Sequence, residues 1–186
     1  MADIYERAAR LRLKRFEKPS SPASEDGQQE ADPLWFIEAL FLAYREFIRE
    51  PDRILSEIGF GRAHHRALYF VHRYPGMRVA DLLEILQITK QSLARVLREL
   101  VKEGYIQRRS GETDRRERLL YPTERGEALA LRLTELQIGK VQAALEAVGD
   151  DGGAAVAAFL RHMAPDAVRP AVLRRGRPGQ EASEEG

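Results

Sequence analysis

The stretch VADLLEILQITKQSLARVLRELVKEGYIQRRSGETDRRERLLYPTERG, residues 79–126, decides the fold. Val79 to Leu86 suits one short helix. Gln87 and Ile88 then make a tight turn, and the Thr89 hydroxyl caps a second helix that runs to Gly104. On that helix Leu93, Val96, Leu97, Leu100 and Val101 recur at spacings of three and four, which marks a buried face. Lys90, Gln91, Ala94, Arg95 and Arg98 fall on the other face. From Tyr105 to Gly126 two short apolar runs flank a Ser-Gly-Glu-Thr-Asp tip among six arginines. A hairpin buried in a core would carry fewer charges; one that reaches an anionic target carries them for a reason. Two short helices joined by a tight turn and followed at once by a hairpin form a winged helix-turn-helix. The expected fold is therefore mainly α, with a small α+β element in the wing.

Working outward, residues 18–31, KPSSPASEDGQQEA, are too poor in apolar groups to offset the entropy of ordering and read as a flexible linker. Before it, Ile4, Tyr5, Ala8, Leu11 and Phe16 follow helical spacing as an amphipathic arm, expected to pack over a partner subunit. Asp32-Pro33 opens the first helix of the body: Asp offers a cap, and Pro tolerates a position whose N–H has no partner. LWFIEALFLAYREFI, residues 34–48, is apolar on nearly every side and must be covered all round, in a chain of this size by a second subunit. The aromatic Trp35, Phe36 and Phe41 belong to that interface. Pro51 is expected to kink or interrupt the helix. Gly59 and Gly61 bracket a turn into RAHHRALYFVHRY, a helix ended by Pro75-Gly76. Thr123 caps a long helix in which Leu131, Ile138 and Leu145 repeat every seven residues, as do Thr134, Val141 and Val148. Leu129, Leu133 and Leu136 add a second stripe that suits packing on its own domain. Residues 149–153, GDDGG, read as a turn before a final short helix. The expected organisation is an arm and linker over 1–31, a dimerisation helix over 32–58, the DNA-binding region over 59–122, dimerisation helices over 123–164 and a tail over 165–186.

Composition narrows the function. The 186 residues are 32% charged and 44% hydrophobic, as in a helix-rich globular protein. The net charge of +1 gives no global attraction to nucleic acid, so any basic footprint must be local. Residues 88–118 carry nine Lys or Arg against five Asp or Glu, and the remainder is correspondingly acidic. With no cysteine there is no disulfide framework, thiolate metal site or thiol redox sensor. No apolar run approaches the ~18–20 residues needed to span a bilayer. The first residues lack the apolar core of a secretory signal, so a cytoplasmic protein is expected. There is no phosphate loop and no nucleophile–base signature, so an enzyme is not expected, and neither is a cofactor.

The segment ITKQSLARVLRELVKEGYIQRR (88–109), the wing motif Asp114-Arg115-Arg116 and the Pro-Thr-x-x-Gly segment at Pro122 to Gly126 resemble the MarR family of winged-helix transcription regulators. The resemblance covers roughly residues 34–163. Pro122 stands where the family has Leu, and Gln87 where the helix-turn-helix often has Gly. A non-Gly residue with positive φ costs ~1 kcal/mol there. GRAHHRALYF, residues 61–70, is similar to the PetP-like branch found in alphaproteobacteria. The resemblance implies an obligate homodimer on a pseudo-palindromic promoter site, repression, and release of DNA by a small-molecule effector.

A recognition helix reads bases through its first turns, which enter the major groove with the positive dipole end toward phosphate. That singles out Thr89, Lys90, Gln91, Ser92, Arg95 and Arg98. Gln91 matches adenine and Arg95 matches guanine, each pair discriminating by ~1–3 kcal/mol; Lys90 and Arg98 suit phosphates. In the wing, a narrow minor groove attracts an inserted guanidinium. The resemblance assigns this to Arg116, Arg115 competes for the place, and Asp114 orients an arginine or the turn. His64 and His65 lack the carboxylate or thiolate that would complete a metal site, and no metal is expected. The resemblance places them instead at an effector cleft, or in a hydrogen bond across it. The competing reading is a winged helix used as a protein-interaction module; the polar trio Gln91, Ser92 and Arg95 at the exposed helix start argues for DNA.

Overall fold

The computed structural model describes residues 33–110 and 117–163. The expected arm, linker and tail lie outside these residues, as does the wing tip with Asp114, Arg115 and Arg116. Two compact units divide within the first helix, one ending at Ala39 and the other beginning at Leu40. Of the first unit only Pro33–Ala39 is described, and it is helical. Everything below concerns the second.

Helix α1 (Pro33–Glu57) leads through a Gly59 turn to α2 (Arg62–Arg73). A two-residue strand β1 (Met77–Arg78) precedes α3 (Val79–Leu86), and α4 (Lys90–Lys102) follows across Gln87–Thr89. Strands β2 (Ile106–Ser110) and β3 (Arg118–Pro122) form the hairpin, and α5 (Glu124–Met163) completes the chain. The antiparallel sheet has the order β1-β3-β2, with Met77 opposite Leu120, Ile106 opposite Pro122 and Ser110 opposite Arg118. This is the winged helix-turn-helix expected from residues 79–126.

The core gathers one face from each element: Leu55 of α1, Leu68 and Val71 of α2, Leu82 and Leu86 of α3, and Leu93, Leu97 and Leu100 of α4. Ile106, Leu120 and Leu133 close it from the sheet and from α5. Each fully buried Leu or Ile stabilises by ~1.5–3 kcal/mol, so α4 is held by its apolar stripe while its polar face stays in solvent.

The turn between α3 and α4 is left-handed at Gln87 (φ 50°, ψ 43°), the only non-glycine with positive φ among the described residues. Its side-chain amide donates to Glu84 O at 2.6 Å, an added tie at the C-terminus of α3. Thr89 caps α4, its hydroxyl accepting from the Ser92 N–H at 3.1 Å.

Three expectations are corrected. Pro51, expected to kink or interrupt α1, does not interrupt it: the helix continues to Glu57. Proline removes one ladder hydrogen bond, to Phe47 O, at a cost of ~3 kcal/mol. Against this, Pro51, Ile48, Ile54 and Leu55 are all buried, and the Lys140 ammonium donates to Glu46 O in the preceding turn. Val101 is 36% exposed and not part of the buried face, although its neighbour Leu100 is fully buried. Residues 150–153 are helical; the break in α5 is confined to Gly149 (φ 69°, ψ −179°), a backbone region open essentially to glycine alone.

Candidate nucleic-acid interface

The exposed side of α4 is set by the packing of its other side. With Leu93, Val96, Leu97 and Leu100 buried, the residues before and between them, Lys90, Gln91, Ala94, Arg95 and Arg98, are left exposed. Lys90 and Gln91 occupy the first turn, where free N–H groups and the helix dipole favour anions. Ser92 is partly committed to the cap: its hydroxyl accepts from Thr89 Oγ1 at 2.9 Å while its N–H donates to the same oxygen.

The wing strands lie beside this first turn. Lys90, Arg108 and Arg118 rim a groove of about 400 Å³ whose floor is Val79, Ala80, Leu83, Leu93, Ala94 and Leu97. Three cations from α4, β2 and β3 thus border one apolar floor. Arg118 also donates to Ser110 Oγ at 2.9 Å across the hairpin. Arg109 lies 4.5 Å above the Tyr121 ring, a cation–π contact that spends part of its charge inside the sheet. Sequence reasoning counted Arg108 and Arg118 only in a charge total. Their strand register, in which Arg108 faces Leu120 and Ser110 faces Arg118, is what brings them to the groove.

Arg95 is not a loose surface side chain. Its Nε donates to Glu99 Oε1 at 3.0 Å, and His64 Nε2 meets Glu99 Oε2 at 2.6 Å. The Arg95 and then the His64 hydrogen bonds hold the Glu99 carboxyl below the usual carboxylate range. His64 is itself fixed at the start of α2: the Gly61 N–H donates to its Nδ1 at 3.2 Å, and its ring stacks on Phe60 at 4.6 Å. The Arg95–Glu99 spacing of four was readable on the helix; the third member, 35 residues away, was not.

Two further ties fix the wing. Asp81, buried at the start of α3, accepts from the Arg78 N–H at 3.1 Å and from its guanidinium at 2.6 Å, and Arg78 pairs with Leu119 on β3. Arg78 also reaches within 3.7 Å of Glu117 at the foot of the wing. At the other end Thr123 donates its hydroxyl to Gly104 O at 2.6 Å and accepts from the Gly126 N–H at 3.1 Å. The end of α4 and the start of α5 are clasped together through this residue.

His64 and His65 diverge. His65 lines a cavity of about 560 Å³ with Tyr44, Phe47, Arg66, Tyr69, Phe70 and Gln137, between α1, α2 and α5, and His64 does not. Burial pushes the His65 imidazole down, against the upward pull of Asp52 and of a Gln137 hydrogen bond. Among the described residues no group of three or more His, Cys, Asp or Glu gathers to hold a metal. None of the described helices is long and apolar enough to cross a membrane.

Comparison with known proteins agrees with this geometry. A MarR family profile matches residues 58–117, from the end of α1 to the wing. The HTH-type transcriptional regulator PetP of Rhodobacter capsulatus is 46% identical over 133 residues, 72% of this chain and 80% of that protein. Among solved structures, MarR aligns over 74% of this chain and 99% of its own at 27% identity and a TM-score of 0.54. FabT of Streptococcus pneumoniae, solved in complex with DNA, shares the fold with a TM-score of 0.63 over 71% of this chain and 94% of its own, at 17% identity. These relatives by sequence are transcriptional regulators, not enzymes. The chain belongs to the MarR family of winged helix-turn-helix transcriptional regulators.

Proposed function

We propose that this regulator binds a specific, pseudo-palindromic promoter sequence as a homodimer, reading bases through the start of α4 and flanking phosphates through the wing, and represses transcription from that site. The observation that carries the proposal is the groove where Lys90 of α4 meets Arg108 and Arg118 of the wing strands, beside the exposed polar face of Gln91, Arg95 and Arg98. A major groove takes a helix of this kind, with Gln91 suited to adenine and Arg95 to guanine. Lys90, Arg98 and the strand arginines supply the phosphate contacts that set register. Arg116 or Arg115 of the wing tip enters the minor groove, with Asp114 as its orienting carboxylate.

The homodimer is supported by apolar surface that a soluble monomer would not leave open. Phe41 and Leu42 are 71% and 52% exposed, and Ile138, Val141, Leu145 and Val148 of α5 are exposed at heptad spacing. The cavity beside His65 supports a small-molecule effector: it is large enough, mostly apolar and carries a few polar groups. An occupant touching α2 there would press on the helix that also holds His64 and its link to α4.

The test is fluorescence anisotropy with duplex DNA from the gene's own upstream region across a salt series. Wild type should bind at least ~10³-fold tighter than random duplex, with affinity falling linearly in log salt. Gln91→Ala and Arg116→Ala should each weaken it. Equal, weak binding to every duplex, persisting through selection from a genomic library, would sink the proposal in favour of a protein-interaction module.

A further inference from the structure

Arg95 and Glu99 alone would be an ordinary exposed helix pair of the i, i+4 kind, contributing little and orienting nothing. Here the carboxylate has a second, buried anchor. The Gly61 N–H points at His64 Nδ1, so that nitrogen carries no proton and Nε2 is the donor to Glu99. The His64 ring cannot swing away, because it lies flat on Phe60 with an interplanar angle of 5° and is buried. Glu99 is therefore tied on one oxygen to the start of α2 and on the other to Arg95 Nε. The outer NH groups of Arg95 remain on the exposed face of α4, with 76% of the side chain accessible.

From this arrangement, and on the reading of α4 as the DNA-contacting helix, we infer that Glu99 and His64 are positioning residues for sequence readout: they hold the Arg95 guanidinium in one orientation before DNA arrives. A negative charge next to a DNA-reading face otherwise opposes binding. Its use is to cut the rotamer freedom of a long side chain that must meet a base edge with both outer nitrogens.

The two roles of Glu99 predict opposite signs, which makes them separable. The probe is a duplex enriched from a random-sequence library by the wild-type protein, measured beside an unselected duplex of equal length. Glu99→Gln removes the charge and leaves one acceptor oxygen for two donors, so one of the two ties is lost. It should bind the unselected duplex at least as tightly as wild type yet lose roughly tenfold in the ratio of selected to unselected affinity. His64→Phe keeps the ring stack and changes no surface charge; it should lower the same ratio by a similar factor. In an Arg95→Ala background neither change should move the ratio further. Thermal unfolding of each variant shows that it is folded, and Glu99→Gln, on the surface, keeps the test open if His64→Phe is not.

A uniform gain of Glu99→Gln on both duplexes, with the ratio unchanged, would overturn the inference while leaving α4 as the reading helix. If Arg95→Ala itself leaves the ratio unchanged, Arg95 does not read sequence, and the inference fails together with that part of the proposed function. Loss of the ratio in Glu99→Gln that persists in the Arg95→Ala background would likewise overturn it, since Glu99 would then act by another route.

Discussion

At Gly126 a methyl group has no room. A Cβ built there would stand 1.9 Å from the Tyr105 carbonyl oxygen, which itself accepts the Thr123 N–H at 3.1 Å. The glycine of the Pro-Thr-x-x-Gly segment is thus required by a close backbone approach where the start of α5 lies on the chain leaving α4. Gly126→Ala must push backbone and not a flexible side chain; we expect a loss of about 2–3 kcal/mol, read as a lower midpoint in urea at unchanged slope. His65 makes a different residue-scale prediction. Its folded-state proton affinity is depressed by burial below the ordinary value of 6.5, so the unfolded chain binds more protons as the pH falls through that value. Stability then rises with pH in that window and is progressively lost below about pH 6.5. Urea unfolding of wild type and His65→Gln from pH 7.5 to 5.5 should show the steeper acid-side loss in wild type, and parallel curves would mean that His65 is not the source.

At the scale of elements, the helix-turn-helix and the wing are coupled through Arg78, which belongs to both: its backbone lies in the sheet opposite Leu119, and its guanidinium and N–H are held by Asp81 of α3. Asp81→Ala removes the cap of α3 and leaves the Arg78 guanidinium without its main anion, costing about 1–2 kcal/mol and a few degrees of thermal midpoint. The elements themselves were legible in the sequence because their signals are local: a cap at Thr89, a three–four apolar spacing on α4, and two short strands about a polar tip. What was not legible depends on partners distant in sequence. Pro51 is expected to kink or interrupt α1 by its own chemistry; it does not interrupt it, being buried with Ile48 and Ile54, and the helix carries through. Val101 kept the apolar rhythm of α4 yet stays part-exposed beside the fully buried Leu100. The polar face of α4 was readable residue by residue; the tether that connects Arg95 to His64 through Glu99 was not, because its two ends are brought together only by the packing of α2 on α4.

For the whole molecule the question is what covers α5. Leu133 is fully buried against the winged domain, so α5 already has one apolar face in use, yet Ile138, Leu145 and Val148 are 47%, 41% and 50% exposed. A helix with one covered stripe and a second open one at seven-residue spacing is built for two neighbours, and the proposed second copy of the chain supplies the other. The proposed dimer would also let a near-neutral protein act on DNA: two wings and two α4 faces would engage one duplex, doubling the local positive surface without raising the net charge per chain. Sedimentation equilibrium should therefore give a species of twice the 21.1 kDa chain mass. Ile138→Asp combined with Leu145→Asp places two charges in the open stripe and none in the core of the winged domain. It should yield a folded monomer that keeps the circular dichroism of α-helix, and its affinity for the selected duplex should fall by at least about a hundredfold, since each half-site is then bound alone. A double variant that stays dimeric would move the interface elsewhere on the surface. One that is monomeric but binds as tightly as wild type would show that a single winged domain suffices for readout.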